Sequence, residues 1–144
     1  MRTYFDHEKL NVYQVSLEFN DWVGQFLTSV QAKAAAKDQL NRAATGIALN
    51  IAEGNGKFYR RDRVRFFDTA RGSAVESAAS LDVLVSRKLT TVDRIGPAKE
   101  QLLQIVNMLM RLLKRLGYGF DPETALIREE SHLDFVSEQK QEQE

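Results

Sequence analysis

The sequence has 144 residues with 20 Lys and Arg, 20 Asp and Glu, two His and no Cys, and its formal net charge is zero. This length fits one domain, and the absence of cysteine excludes a disulfide framework, a thiolate metal site and a cysteine nucleophile. No apolar stretch reaches the roughly 18 residues of a membrane span, and the N-terminal residues lack the apolar core of a signal peptide, so we expect a cytoplasmic protein.

Two helices are predicted in the first half of the chain, because apolar residues recur there every three or four positions. The first helix covers about residues 8–30. Its two apolar stripes are Leu10, Tyr13, Leu17, Gly24, Leu27 and Val15, Phe19, Trp22, Phe26, Val30. The second helix covers about residues 34–53 and has the stripe Leu40, Ala44, Ile47, Ile51. We expect Gly54 and Gly56 to end it, since glycine accepts the left-handed conformation at helix ends.

Two further helices are predicted by the same spacing. The third covers about residues 60–87, with the stripe Phe66, Ala70, Ala74, Ser77, Leu81, Leu84. The fourth begins near Thr90, which with Asp93 resembles a capping box, and ends at Gly117. Its two stripes are Ala98, Leu102, Ile105, Leu109, Leu112, Leu116 and Leu103, Val106, Met110, Leu113.

Residues 1–120 therefore predict an all-α domain, an antiparallel up-down four-helix bundle. Helices 1 and 4 have nearly two apolar stripes each, and this surplus predicts an interface between subunits. The surplus also fits a monomer in which these two helices each pack against two neighbours.

The C-terminal segment, residues 121–144, has a different composition from the rest of the chain. It contains eight acidic and two basic residues, whereas residues 1–120 contain 18 basic and 12 acidic residues. Such an asymmetry is typical of an interaction surface or of a tail that masks a basic body, and equally of a solvated tail. We expect a short amphipathic helix after Pro122, followed by disorder over residues 137–144.

Two motifs stand on neighbouring helices of the predicted bundle. Asn50-Ile51-Ala52-Glu53-Gly54 ends the second helix, and Phe66-x-x-x-Ala70-x-Gly72-Ser73-Ala74-x-Glu76 lies in the third. With these motifs, residues 5–116 resemble the 23S rRNA intervening-sequence protein family. The resemblance implies a four-helix bundle that assembles as a homopentameric ring, prompts the expectation of nucleic-acid binding, and implies no enzymatic activity. Members often have proline near Ala48 and most stop soon after the fourth helix, so the acidic segment here is outside the family's pattern.

Polar side chains of the motif region predict a second feature. Arg42 and Glu53 are 11 residues apart, about three helical turns, and therefore share one helix face. We expect a buried or half-buried polar network that fixes helix register, with a polar binding site in the bundle or between subunits as the alternative. The residues of this network are Gln39, Arg42, Asn50, Glu53 and Glu76.

A basic run at the start of the third helix is the candidate nucleic-acid site. Its residues are Lys57, Arg60, Arg61, Arg63, Arg65 and Arg71. The helix dipole disfavours cations at this end, so local helix stability does not explain them, whereas free N–H groups and guanidinium groups both suit a phosphate. Phe58 and Tyr59 could stack on bases. The alternative is a solvated face, or pairing with acids of the same or a neighbouring subunit.

Catalytic and cofactor chemistry has few candidates in this sequence. A di-iron bundle needs two Glu-x-x-His pairs, and the chain has one, Glu129 to His132; no dinucleotide or Walker loop is present. We therefore expect no metal, no cofactor and no enzymatic activity.

The leading hypothesis is an oligomeric RNA- or DNA-binding bundle. The alternatives are a scaffold for a partner protein and, last, an enzyme that uses Glu53, Glu76 and Arg42.

Overall fold

The computed structural model describes residues 2–118 and contains four α-helices preceded by a 3-10 turn. The turn covers Asp6–Lys9, and the helices are α1 (Asn11–Ser29), α2 (Ala34–Gly56), α3 (Arg60–Ser86) and α4 (Val92–Arg115). These bounds confirm the four predicted helices. The short fifth helix and the disorder predicted after Pro122 lie outside the described residues.

Contacts between helix ends show that the bundle is antiparallel. Asn55 at the end of α2 donates a hydrogen bond to Asp6 before α1, at 3.0 Å. The Arg94 guanidinium at the start of α4 donates to the Ser29 hydroxyl at the end of α1. Successive helices pack against each other, and α1 packs against α4. The four helices therefore form a closed square, with one shared core along its axis.

The core consists of apolar side chains from all four helices. The predicted stripe of α2 is confirmed, since Leu40, Ala44, Ile47 and Ile51 are fully buried. Burial of each large aliphatic side chain contributes about 1.5–3 kcal/mol. Among the described residues, no helix has the length and apolar character needed to cross a bilayer.

The core face of α1 agrees with the second predicted stripe at Phe19, Phe26 and Val30 and differs from the first. Its buried residues are Val12, Ser16, Phe19, Val23, Phe26 and Val30. Leu17 and Gly24 of the first predicted stripe are exposed, so that stripe is wrong at these two positions, whereas its other three residues are half-buried against the core. The cause is local: Leu10 has an extended backbone (φ −72°, ψ 127°) and the helix begins after it, while a serine occupies one core position and hides the true spacing.

Smaller shifts occur in α3 and α4. Phe67 is 1% exposed and lies in the core, whereas the predicted Phe66 is half-buried. Leu113 is buried, while Leu112 is half-buried. The cap of α4 is Thr91 and not Thr90, because the Thr91 hydroxyl accepts a hydrogen bond from the Arg94 backbone N–H at 3.3 Å.

Of the two glycines expected to end α2, Gly54 lies inside the helix and packs against α3. The helix continues to Gly56, and Gly117 is the one glycine within residues 2–118 with a positive φ, 84°. A Cβ atom on Gly54 would lie 3.0 Å from ring atoms of Phe67 and from the Phe66 Cβ. The missing side chain therefore lets the start of α3 approach α2. Gly117 ends α4 as predicted.

Candidate nucleic-acid interface

The connection between α2 and α3 presents aromatic rings to solvent. The helices are joined through Lys57, Phe58 and Tyr59, and Phe58 is 99% exposed while Tyr59 is 75% exposed. Tyr59 is the N-cap of α3 and makes no side-chain cap hydrogen bond. The first backbone N–H groups of α3 consequently have no side-chain acceptor from the cap, as in helix ends that bind anions.

Three cations of the predicted site are available to a ligand. Arg60, Arg61 and Arg65 are exposed, and none of them has an ion-pair partner among residues 2–118. The Arg65 guanidinium carbon lies 5.2 Å from the centre of the Phe66 ring, which orients that side chain along the helix surface. These three arginines form the accessible part of the basic run.

Two other members of the run, Lys57 and Arg63, make contacts within the connection between α2 and α3. Arg63 is half-buried, and its Nη1 donates to the carbonyl oxygens of Asn55 at 3.4 Å and Lys57 at 3.5 Å. A cation at this position complements the negative end of the α2 dipole. The Lys57 ammonium lies 5.0 Å from the Phe66 ring centre. Arg63 and Lys57 therefore have structural contacts that a phosphate would have to displace.

Arg71 is engaged elsewhere on α3. Its guanidinium pairs with Asp68 at 2.7 Å, and both side chains are partly exposed. Arg71 is 11 residues beyond Arg60, which is about 16 Å along the helix axis. The structure therefore does not bring Arg71 together with the arginines at the start of α3.

The end of α4 adds cations that are not part of the predicted basic run. Arg111, Lys114 and Arg115 are exposed. They lie at the same end of the bundle as the start of α3, because a Cβ on Gly117 would be 3.5 Å from the Arg60 Nη1. The antiparallel topology predicted from the sequence was the signal that could have placed them there. We call this set the basic end: Arg60, Arg61, Arg65, Arg111, Lys114 and Arg115.

The predicted polar network has a different environment from the one expected. Gln39, Arg42 and Glu76 line one shallow depression at the seam between α2 and α3. These three side chains and Glu53 are exposed, so a buried network of them within the protomer is wrong. Small core residues such as Ala44, Ala70 and Ala74 close the seam and leave long polar side chains outside. A polar site between subunits stays a prediction.

Asn50 is the one half-buried member of that network. Its amide donates to the Gly46 carbonyl oxygen at 2.8 Å, and a Cβ on Gly46 would lie 3.2 Å from the Ser73 hydroxyl. Arg42 and Glu53 do share a face of α2, but their separation of about 16 Å along the axis prevents direct pairing. Within residues 2–118, no group of three or more His, Asp or Glu side chains could hold a metal ion.

Comparison with known proteins supports this architecture. The chain is similar to a crystal structure of a protein with unknown function from the S23 ribosomal protein family of Bacteroides thetaiotaomicron VPI-5482, with a TM-score of 0.68 and 23% identity. The similarity covers 72% of this chain and 98% of that chain. At this identity it shows the fold alone, and no curated protein matches the sequence. The model of the 23S rRNA-intervening sequence protein family matches residues 8–111, which include all of α1, α2 and α3 and most of α4. The chain therefore belongs to the family of 23S rRNA-intervening sequence proteins.

Proposed function

We propose that this protein is a non-enzymatic, homo-oligomeric bundle that binds RNA or DNA through its basic end. One observation carries the proposal: six arginine and lysine side chains from α3 and α4 are exposed at one end of the bundle. None of them forms an ion pair with another residue of the range 2–118. Clustered cations without partners on a folded surface are the electrostatic footprint of a nucleic-acid-binding protein.

The chemistry of the basic end suits a phosphate backbone more than a base edge. Guanidinium groups bind phosphates in a bidentate manner, and the N–H groups at the start of α3 add to the positive potential. Phe58 and Tyr59 supply exposed rings on which unpaired bases could stack. We therefore propose binding that depends mainly on charge and depends little on sequence.

Exposed apolar surface supports the homo-oligomeric part of the proposal. Val75 on α3 is 53% exposed and Leu103 on α4 is 61% exposed. Together with Ala78 and Val106 they line an almost entirely apolar groove between the two helices. A second copy would cover this groove, and the family resemblance favours a pentameric ring. A ring would repeat the basic end around its axis and so multiply weak phosphate contacts.

The same groove supports a second candidate function, a scaffold that binds a partner protein. Leu103→Glu places a charge in the groove without touching the core. If copies of this chain fill the groove, light scattering should give a multiple of the 16.4 kDa chain mass for the natural protein and the chain mass for the variant. A natural protein that is already monomeric would favour the scaffold. Val92→Glu is the matched control, because Val92 is 68% exposed and lies outside the groove.

Charge reversal tests the nucleic-acid site. The triple variant Arg60→Glu, Arg61→Glu, Arg65→Glu should weaken binding to RNA and duplex DNA at least tenfold. It should also lower the salt slope, by about one for each phosphate contact that is lost. The control reverses Lys33, Arg87 and Lys88, which are exposed at the opposite end. Equal loss of binding in both triple variants would refute the assignment to the basic end.

A further inference from the structure

A second surface lies beside the basic end, in the groove between the start of α1 and the end of α4. Leu10, Met108 and Leu112 form a half-buried apolar floor, and Lys9, Arg111 and Arg115 form an exposed cationic rim. Lys9 lies 4.0 Å from the Asp6 carboxylate at the surface. Arg111 and Arg115 have no ion-pair partner within residues 2–118. The groove thus combines unpaired positive charge with apolar surface.

We propose that the acidic C-terminal segment of the same chain, residues 121–144, is the occupant of this groove. The segment holds eight acidic residues against two basic ones, and Leu126, Leu133, Phe135 and Val136 lie among them. Acidic side chains complement the rim, and the apolar side chains complement the floor. A segment that was only charged would gain nothing from the leucine and methionine of the groove.

The position at which the segment leaves the bundle supports the same occupant. The last turn of α4 holds Leu112 and Arg115, and the described residues end at Tyr118. Asp121 follows three residues later, a span of about 10 Å at most. The first acidic residue is therefore tethered within reach of the rim, which gives the segment a high effective concentration at this groove.

Occupation of the groove would regulate the proposed nucleic-acid site. Arg111 and Arg115 belong to both surfaces, so the segment and a phosphate backbone would compete for them. This regulatory consequence rests on the proposed function, whereas the contact between segment and groove does not. The contact is therefore tested without nucleic acid.

The test uses the full chain and a single nitroxide label. Since the sequence contains no cysteine, Ser131→Cys gives one attachment site within the segment. At low salt, we expect the label to broaden the amide signals of Leu10, Met108 and Arg111 more than those of Thr28 and Arg87 at the opposite end. The selective broadening should disappear in the triple variant Lys9→Glu, Arg111→Glu, Arg115→Glu and persist in the control Lys33→Glu, Arg87→Glu, Lys88→Glu.

Several results would overturn the assignment. Absent or uniform broadening at low salt would show that the segment does not bind the groove. Selective broadening that survives the groove reversal would show that the cationic rim does not hold the segment, which overturns the charge complementarity on which the assignment rests. Broadening centred on Arg61 and Arg65 would place the segment on another part of the basic end. If the groove variant fails to fold, high salt replaces it, because screening should release a charge-dependent contact of the natural chain. Nucleic-acid binding without this contact would leave the proposed function intact and remove only its regulation.

Discussion

Arg60 at the start of α3 lies beside Gly117 at the end of α4, so that a Cβ on Gly117 would be 3.5 Å from the Arg60 Nη1. Gly117 has a φ of 84°, a conformation that other residues rarely adopt. The glycine therefore provides the left-handed turn that ends α4, and the Arg60 guanidinium lies beside that turn. This relationship joins two cationic segments that are distant in the sequence into one end of the bundle.

Alanine substitutions at Gly54 and Gly72 should change the stability of the protein in opposite directions, because Gly54 is packed closely against α3 and Gly72 is not. Gly54→Ala should lower the free energy of unfolding by about 1–2 kcal/mol, since the cost of overpacking against Phe67 exceeds the gain in helix propensity. Gly72→Ala should raise it by about 0.5–1 kcal/mol, because Gly72 is exposed in a helix and a Cβ there meets nothing within 4 Å. Urea midpoints measure both. A stabilised Gly54→Ala variant would contradict the close approach.

Two adjacent phenylalanines on α3 should differ in their contribution to stability. Phe67→Ala should lower the free energy of unfolding by about 3–5 kcal/mol, since Phe67 is 1% exposed in the core. Phe66→Ala should cost less than half as much, because Phe66 is half-buried and contacts the cations of Lys57 and Arg65. Thermal and urea unfolding of the two variants provide the measurement. A larger loss of stability in Phe66→Ala than in Phe67→Ala would mean that α3 is rotated about its axis so that Phe66, and not Phe67, faces the core.

The Asp68–Arg71 pair should be of little consequence for stability or binding. Both partners are partly exposed and three residues apart on one helix, a geometry that contributes about 0.2–0.5 kcal/mol. Arg71→Gln should therefore change unfolding by no more than that and leave nucleic-acid affinity and its salt slope unchanged. Loss of nucleic-acid affinity in this variant would show that Arg71 belongs to the binding site despite its ion pair with Asp68.

The N-terminal turn should respond to acid. The backbone N–H of Phe5 donates to the Glu8 carboxylate, and together with the N–H of Tyr4 this lowers the pKa of Glu8 below its ordinary value. A lowered pKa in the folded state stabilises the turn above the ordinary pKa, and that contribution is lost as the pH falls through the lowered value. The Phe5 amide signal should titrate with the Glu8 carboxyl carbon, and Glu8→Gln should abolish this titration. A Glu8 pKa at or above the ordinary value would contradict the hydrogen bonds.

Helix number and order could be predicted from the sequence because apolar periodicity is strong in every segment. The rotation of a helix was less predictable where small or polar residues occupy core positions. Ser16 is fully buried on α1. A prediction that counts only large apolar residues does not place this serine in the core. The choice between Phe66 and Phe67 failed for a similar reason, since both residues are large and apolar.

The candidate site was predictable in part, and the missing part depends on tertiary contacts. The basic run in the sequence correctly indicated Arg60, Arg61 and Arg65 as accessible cations. Sequence spacing alone could not show that the Arg63 guanidinium donates to carbonyl oxygens at the end of α2. Helical spacing placed Arg42 and Glu53 on one face, but whether that face is inside or outside depends on how closely the backbones of α2 and α3 approach. Small residues at that seam allow a close approach, which leaves the polar side chains exposed.

A salt titration of nucleic-acid binding tests the central claim most directly. The purified, nuclease-treated protein would be titrated with structured RNA and with duplex DNA at several salt concentrations. Because each neutralised phosphate contributes about 0.9 to the slope on duplex DNA, and three to five of the exposed cations of the basic end would each neutralise one, affinity should fall about a hundred-fold for a fourfold rise in salt. Binding with no salt dependence, or no binding to either nucleic acid at low salt with residues 121–144 removed, would contradict the assignment of the basic end.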